Sequence, residues 1–287
     1  MKILLTGATG NVGLAILNAI SFPSEHLQVY AGVRNLATDQ AKLEGYPVTL
    51  VTFDFENVET FHAALSGIEI LFLLRPPQLA DVSKFFEPLI RAAVACNIKQ
   101  IVFLSVQGVE NSRIIPHHKI EQLILDSGID YTFLRPAYFM QNFTTTLRAD
   151  LVNKQRIYLP AGNAKFTVID VGDIGAVAAK ILSDPLPHIG EKYALTNRET
   201  LTFGEMAQIM SRTLRKEIKY ISPNLWQFYW AKRRENVPSM LVLVMIMLHY
   251  LPRFQKIPKT TEWVERITGH VPKSFEAFVS SNRAKMS

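Results

Sequence analysis

Three glycines near the start of the chain restrict its fold more than any other feature. Gly7, Gly10 and Gly13 stand between a short apolar run, KILL, and a helical pattern, LAILNAI. This spacing is typical of a turn at which the pyrophosphate of a dinucleotide meets backbone N–H groups and the positive end of a helix. A chance triplet would be an ordinary strand-to-helix turn, but strand, loop and helix follow here in the required order. We therefore predict a Rossmann-type dinucleotide-binding domain that begins at the first residue.

Short apolar runs alternate with helical patterns through the first 136 residues. Six of these runs are strand candidates: KILLTG, LQVYAGV, VTLVTFDF, IEILFLL, IKQIVFLSV and IDYTFLRP. Their apolarity is continuous rather than alternating, which indicates strands covered on both faces and hence a parallel sheet. The predicted fold is α/β, with a Rossmann-type doubly wound parallel sheet.

The alternation loosens after Pro136. The segments that follow are a helix through LRADLVN, a strand-like RIYLPAG, the junction FTVIDVGDIG leading into a helix AVAAKILSD, and a helix FGEMAQIMSRTLRK. No linker rich in Pro, Ser and Gly precedes them, so a lobe that shares the edge of the sheet is expected. We predict a nucleotide-binding domain over 1–155 and a smaller C-terminal α/β substrate lobe over 156–287, partly interwoven with the sheet.

Composition supports a globular protein, since 48% of the residues are hydrophobic and 20% are charged. The longest apolar run, Met240 to Leu248, is too short to cross a bilayer, and we predict a buried helix or a wall of the substrate pocket. The single cysteine, Cys96, excludes an intrachain disulfide, and no secretory signal fits the start of the chain. A reducing cytoplasm is therefore the expected compartment.

The net charge of +6 is concentrated toward the C-terminus. Residues 210 to 287 contain 14 Lys and Arg against 5 Asp and Glu. Scattered basic residues are usually a solvated helix surface, so binding to nucleic acid is not expected. No metal site is expected either, because no nearby Cys or third ligand joins the histidine pair at His117 and His118. The oligomeric state is left open.

Arg34 follows the second predicted strand, where a site for NAD would offer Asp or Glu to the ribose 2′-hydroxyl. A guanidinium can pair with a 2′-phosphate and stack on the adenine. The alternative is a surface arginine at the end of a strand. The absence of an acid favours NADP(H) as the cofactor, with NAD(H) as the alternative.

Two stretches carry a resemblance to a known family. TGATGNVG is similar to the TGxxGxxG turn of the extended and atypical short-chain dehydrogenase/reductases. HHKIEQLILDSGIDYTFLRPAYFMQNF resembles the NmrA-like family of the atypical group, in which a His-containing helix precedes SG, a strand, LRP and an aromatic-Asn segment. FTVIDVGDIGAVAA and PKSFEAFV extend the similarity over nearly the whole chain. The chain resembles the quinone-reductase-like branch in particular.

The resemblance implies a cofactor that lies across the carboxyl ends of the strands. Asp54 falls where these dehydrogenases place an acid near the adenine amino group, although by itself it is only a turn-favouring residue. Ser105 would lie near the nicotinamide ribose. The predicted cofactor-binding residues are Thr6, Gly7, Thr9, Gly10, Asn11, Val12, Gly13, Arg34, Asp54, Phe55, Leu73, Leu74, Arg75, Ser105, Lys119, Pro136, Tyr138 and Phe139.

The usual catalytic tyrosine is missing. Most short-chain dehydrogenases use a Tyr-x-x-x-Lys pair, in which the lysine lowers the pKa of the tyrosine. If Lys119 is that lysine, the tyrosine position is Ile115. Lys119 would instead bind the cofactor ribose or orient a water, or it is simply an exposed lysine. Tyr138 is the second candidate catalytic residue, since the family pattern places it over the nicotinamide, and His117 and His118 are either proton relays or helix-capping residues.

The sequence supports three hypotheses of function. The first is an NADP(H)-dependent oxidoreductase that transfers hydride to a small hydrophobic acceptor such as a quinone, which needs no strong side-chain acid. The second, implied by the family's namesake members, is a cofactor-sensing regulator that acts through a protein partner. The third is a sugar-nucleotide epimerase or dehydratase, which Ile115 disfavours because such chemistry requires a base.

Overall fold

The computed structural model describes residues 1–22 and 27–286. The strands of this part of the chain are β1 (Lys2–Thr6), β2 (Gln28–Val33), β3 (Thr49–Thr52), β4 (Ile70–Leu74), β5 (Gln100–Leu104), β6 (Asp130–Pro136), β7 (Tyr138–Phe139), β8 (Arg156–Tyr158), β9 (Lys165–Ile169), β10 (Lys192–Leu195), β11 (Thr200–Thr202) and β12 (Lys219–Ile221).

The α-helices of the same residues are α1 (Asn11–Ala19), α2 (Leu36–Gln40), α3 (Glu59–Leu65), α4 (Val82–Ala95), α5 (Pro116–Ser127), α6 (Arg148–Lys154), α7 (Val171–Ser183), α8 (Phe203–Leu214), α9 (Leu225–Arg234), α10 (Ser239–Tyr250), α11 (Trp263–Thr268), α12 (Phe275–Ser281) and α13 (Arg283–Met286). Short 3-10 turns cover Val109–Asn111, Met140–Thr144, Leu186–His188 and Leu251–Phe254.

The chain forms two compact units. Unit 1 consists of Met1–Pro136, Val171–Leu195 and Trp263–His270, and unit 2 of Ala137–Asp170, Thr196–Glu262 and Val271–Ser287. The prediction placed a single boundary after residue 155. In the structure the chain passes to unit 2 directly after β6 and returns to unit 1 twice, because α7, β10 and α11 pack with elements of unit 1.

Unit 1 is built on one parallel sheet in the order β3-β2-β1-β4-β5-β6-β10. The strand order reverses between β1 and β4, which creates the switch point at which open α/β sheets hold their ligands. The predicted α/β Rossmann-type fold and its six strands are confirmed. The seventh strand, β10, was not predicted, because KYAL is short and its only strand partner is β6.

Helix α7 accounts for most of the difference between the predicted division of the chain and the two compact units. Its apolar pattern was assigned to the second lobe, but α7 packs closely on α1 in unit 1. A side-chain carbon added at Gly175 would lie 2.5 Å from the backbone of Ala15. Only glycine permits this close approach, so Gly175 is required for α7 to pack on α1 as it does.

Unit 2 has a core formed by short elements from distant parts of the chain. Two small sheets, ordered β11-β9-β7 and β12-β8, pack with α8, and α12 packs on α8. Phe143, Phe203 and Phe275 are fully buried in its centre. Helix α8 begins with a capping box, in which Thr202 and Glu205 satisfy each other's backbone N–H groups.

Helix α10 differs from the prediction of a buried helix. Val242, Met245 and His249 are buried, but the opposite face exposes Met240, Leu241, Leu243, Val244, Met247 and Leu248. The segment is apolar on every side, so no outward face can be recognised from the order of its residues. In the part of the chain that the structure describes, no helix combines the length and apolarity that a bilayer crossing requires.

Candidate functional site

The glycine turn between β1 and α1 is as tight as its sequence predicts. Gly7 adopts a φ of +68°, a conformation that favours glycine, and its carbonyl accepts a hydrogen bond of 3.0 Å from the N–H of Gly10. A side-chain carbon at Gly13 would lie 2.3 Å from the Gly7 oxygen and 2.6 Å from Ala8 Cα. These are backbone atoms, so Gly13 cannot be replaced without moving the turn.

The amino end of α1 is open to solvent. Gly10 and Asn11 are exposed and Thr9 is partly exposed, whereas Val12 is buried. Gly10 is the N-cap, and neither a side-chain cap nor an acidic residue occupies the first turn. The first N–H groups of a helix have no partners within the helix, so this end of α1 offers donors and a positive dipole to an anion.

Thr6 and Leu74 lie next to the glycine turn and support it. The hydroxyl of Thr6 donates to the carbonyl of Phe72 and accepts from the N–H of Leu74, both at 2.9 Å. It therefore links β1 to β4. Leu74 is partly exposed, and its Cδ2 would be 3.3 Å from a side-chain carbon at Gly7. Of these two predicted residues, only Leu74 has side-chain surface available to a ligand.

Arg34 is exposed directly after β2. No ion pair to another described residue holds its guanidinium. Asn35 behind it caps α2 by accepting a hydrogen bond from Thr38 N. The guanidinium is thus available to an anionic ligand at the carboxyl end of β2.

The residues after β3 have different surroundings. Asp54 accepts a hydrogen bond of 3.0 Å from the N–H of Glu56 through one carboxylate oxygen, which forms a local turn. Phe55 is buried against Phe53 and Phe86, with ring centroids 4.9 and 5.4 Å away. Asp54, Phe55 and Leu73 were all predicted to bind the cofactor. In the structure, the Phe55 ring and the fully buried Leu73 belong to the core of unit 1.

Arg75 stabilises the loop after β4. One of its terminal nitrogens donates to the carbonyls of Pro76, Pro77 and Leu79 at 3.0 to 3.1 Å. Its Nε donates to Nε2 of His117 at 3.4 Å, which leaves the imidazole proton on Nδ1. Burial and the charge of Arg75 lower the pKa of His117 to about 3. His117 is therefore neutral near pH 7 and is not a proton donor of the kind considered from the sequence.

A buried polar network lies at the ends of β5 and β6. The hydroxyl of Ser105 donates to Glu121 at 2.6 Å, and Arg135 binds the same carboxylate through two nitrogens at 3.0 and 2.6 Å. Arg135 also reaches Glu110 at 3.2 Å. Ser105 was predicted from the sequence, whereas Glu121 and Arg135 were not. The available signal was an acid on the apolar stripe of α5, next to the buried Ile120 and three residues before the buried Ile124.

Ile115 and Lys119 occupy the positions of the missing pair. Ile115 is the N-cap of α5 and Lys119 lies one turn further on, with its side chain exposed. Lys119 forms no salt bridge within the described residues. Pro136 ends β6 beside this region, and its carbonyl accepts from Gln107 N at 2.9 Å.

Tyr138 and Phe139 form the short strand β7 of unit 2. The Nδ1–H of His249 donates to the carbonyl of Met245 at 2.6 Å, so its Nε2 accepts from the hydroxyl of Tyr138 at 3.1 Å. Burial lowers the pKa of His249 to about 4 and raises that of Tyr138 above its usual value. The Tyr138 hydroxyl is therefore a neutral group already engaged as a donor.

Metal ligands do not converge in residues 1–22 and 27–286: no group of three His, Cys, Asp or Glu side chains there is placed to hold an ion. The polar groups at the strand ends are instead backbone donors, Arg34, Lys119 and the Ser105 network. This arrangement suits an organic anion rather than a cation.

The seven-stranded parallel sheet with its glycine turn defines a Rossmann-type α/β protein. Within that class the chain belongs to the NmrA-like family, whose model matches residues 1–229. It is 30% identical over 284 residues to prestalk A differentiation protein A of Dictyostelium discoideum, covering 97% of this chain and 91% of the relative.

Two further relatives cover almost the full chain. The NAD(P)H azoreductase of Xenophilus azovorans is 27% identical over 288 residues, which is 98% of each chain. The crystal structure of an NADPH-dependent quinone oxidoreductase from Escherichia coli, complexed with NADPH, superposes with a TM-score of 0.86 at 22% identity. It covers 97% of this chain and 99% of its own, and at this identity it shows the shared fold.

Proposed function

We propose that this protein is an NADP(H)-dependent oxidoreductase that passes hydride to a small hydrophobic acceptor such as a quinone. The observation that carries the proposal is the Gly7–Gly13 turn, in which backbone atoms fill the space that any side chain at Gly13 would need. Such a turn brings the backbone N–H groups at the start of α1 within reach of a pyrophosphate. An exposed helix end without acidic residues favours the same ligand.

The residues at the strand ends fit this cofactor. Arg34 would bind the 2′-phosphate, and the free carboxylate oxygen of Asp54 would accept from the adenine amino group. Leu74 would pack under the pyrophosphate turn. Thr6, Phe55 and Leu73 would act by positioning these groups, since their own side chains are used within unit 1.

The side chains near Ile115 restrict the acceptor. Bound NADPH supplies a hydride from C4 of its nicotinamide ring. Ile115 cannot donate a proton, His117 is neutral at pH 7, and Ser105 already donates to Glu121. An electron-poor acceptor that takes its proton from water, as a quinone does when it becomes a hydroquinone, matches this set of residues.

Lys119 and Tyr138 receive different roles in this proposal. The exposed ammonium of Lys119 would bind the cofactor ribose or orient the water that protonates the acceptor. Tyr138 would contribute its aromatic ring, because its hydroxyl donates to His249 and its pKa is raised. The names of the relatives, an azoreductase and a quinone oxidoreductase, support an acceptor of this unsaturated, electron-poor class.

A measurement of turnover distinguishes this function from that of a cofactor-sensing regulator. The absence of the catalytic tyrosine would be compatible with a regulator as well. The purified protein should consume NADPH when quinones are added and should do so more slowly with NADH. Binding of NADPH, seen as thermal stabilisation, without oxidation by any member of a quinone panel would favour the regulator. Interconversion of sugar nucleotides would contradict the argument from Ile115.

A further inference from the structure

The outward face of α10 is apolar along its whole length. Met240, Val244, Met247 and Leu251 follow one another at helical spacing, opposite the buried Val242, Met245 and His249. Met240 is 70% exposed, the helix contains no Asp, Glu, Lys or Arg, and its histidine, His249, is buried. Large contiguous apolar surfaces on a protein usually mark a site of interaction.

The elements on either side of α10 extend this surface. α9 packs with α10 and exposes Trp226 and Trp230, whose ring centroids are 5.8 Å apart. After α10, Phe254 and Ile257 are 73% and 62% exposed. Exposed tryptophans are typical of the boundary between apolar and aqueous surroundings.

Basic residues flank the apolar face at both ends. Arg233 and Arg234 precede α10, and Arg253, Lys256 and Lys259 follow it. Glu235 is the only acidic residue between positions 224 and 260, and its carboxylate binds Lys154 and Lys232. The surface therefore combines apolar side chains with a net positive charge.

We propose that this surface, Trp226 to Ile257, binds an anionic lipid bilayer. Apolar side chains of α10 would enter the headgroup region while the flanking Arg and Lys meet the phosphates. A helix of this length, about 18 Å, lies in the plane of the membrane rather than across it. The proposal is independent of the proposed reaction.

Charge argues against a second copy of the chain as the occupant. A two-fold contact through this face would bring the basic residues of both copies into one interface. The single acidic residue there already binds Lys154 and Lys232 and does not offset them. An anionic bilayer, by contrast, is complementary to both the apolar and the basic parts of the surface.

The test is co-sedimentation of the full chain with phosphatidylcholine vesicles that contain or lack phosphatidylglycerol. We expect binding to the anionic vesicles, weakened by high salt, and little binding to the neutral ones. The double variant Val244→Glu/Met247→Glu should reduce binding at least about tenfold. Lys256→Glu should reduce it about fivefold or more.

Matched variants on unit 1 control for general effects. Val94→Glu replaces an apolar residue on α4 that is somewhat more exposed than Val244 and Met247, and Lys180→Glu reverses an exposed charge on α7; neither should change vesicle binding. Thermal melting checks that all variants fold. The proposal is wrong if the wild type does not bind anionic vesicles. It is also wrong if the control variants lose as much binding as the variants of the α10 surface. It is also wrong if ultracentrifugation shows a dimer that Val244→Glu/Met247→Glu dissociates while vesicles are not bound.

Discussion

Unit 1 and unit 2 are assembled by different means. Unit 1 repeats one local pattern, strand then helix, and the central strands of its parallel sheet are buried on both faces. Unit 2 joins short strands and helices from distant segments around an aromatic core, with a buried ion network of Asp150, Arg156 and Lys232. Both units contain a buried ion pair, which is Glu121 with Arg135 in unit 1, but unit 1 also depends on close backbone approaches at Gly13 and Gly175.

The largest effect is expected at Gly13. Gly13→Ala places a carbon 2.3 Å from the Gly7 carbonyl, so the turn must move and NADPH binding should fall below detection by calorimetry. Overpacking against backbone should also lower the free energy of unfolding by about 3 kcal/mol. Gly204→Ala in α8 of unit 2 is the control, because its added carbon meets nothing closer than 3.7 Å. Equal losses in both variants would remove the special role of backbone fit in unit 1.

The second prediction concerns the ion network of unit 2. Burial would raise the pKa of Asp150, but the hydrogen bond and charge of Lys232, with Arg156, lower it below the usual value. Lys232→Met should reduce the free energy of unfolding by about 3 kcal/mol, measured by urea denaturation at neutral pH. Because the folded pKa is lowered, this stabilisation is present above the unfolded pKa and is lost as the pH falls through the folded pKa.

Lys219 provides the matched control in the same unit. Its pair with Glu217 spans 3.6 Å between exposed side chains, so Lys219→Met should change the free energy of unfolding by less than about 0.5 kcal/mol. If Lys232→Met were as mild as Lys219→Met, the buried network would not stabilise unit 2.

These first two predictions indicate what the sequence could reveal. The turn at Gly7–Gly13 and the six strands were predictable because their signals lie within a few consecutive residues. The ion network was not, since Asp150 and Lys232 are 82 positions apart and each alone resembles a surface charge. The same holds for Glu121 and Arg135 beside Ser105. α10 was misjudged for another reason: an apolar segment reveals no outward face until its neighbours are known.

The third effect is smaller and belongs to the cofactor site of unit 1. Arg34→Ala removes the proposed partner of the 2′-phosphate, so NADPH should bind about tenfold to a hundredfold more weakly, while NADH binding changes little. Calorimetric titration of both cofactors measures the difference. Arg91→Ala on α4, an exposed arginine paired with Glu87, is the control. An equal loss for NADPH and NADH would remove the argument for NADP(H).

The effect that is smallest at neutral pH, and that grows as the pH falls, comes from His117. Burial and Arg75 lower the pKa of His117 to about 3, so the unfolded chain binds a proton here that the folded chain does not. This difference destabilises the fold progressively as the pH falls from about 6.5, the unfolded pKa, toward 3. His117→Gln should flatten that part of the stability profile, measured by urea denaturation between about pH 3 and pH 7. An NMR titration that shows His117 protonated at pH 6 would contradict the assignment.

The most direct test of the proposed reaction is a single turnover. The protein is loaded with less than one equivalent of NADPH and mixed anaerobically with a quinone, and the near-ultraviolet absorbance of NADPH is followed together with hydroquinone formation. We expect the absorbance to disappear as an equal amount of hydroquinone appears, faster than in a mixture without protein. NADPH that stays bound and reduced in the presence of every quinone tried would contradict an oxidoreductase of this type.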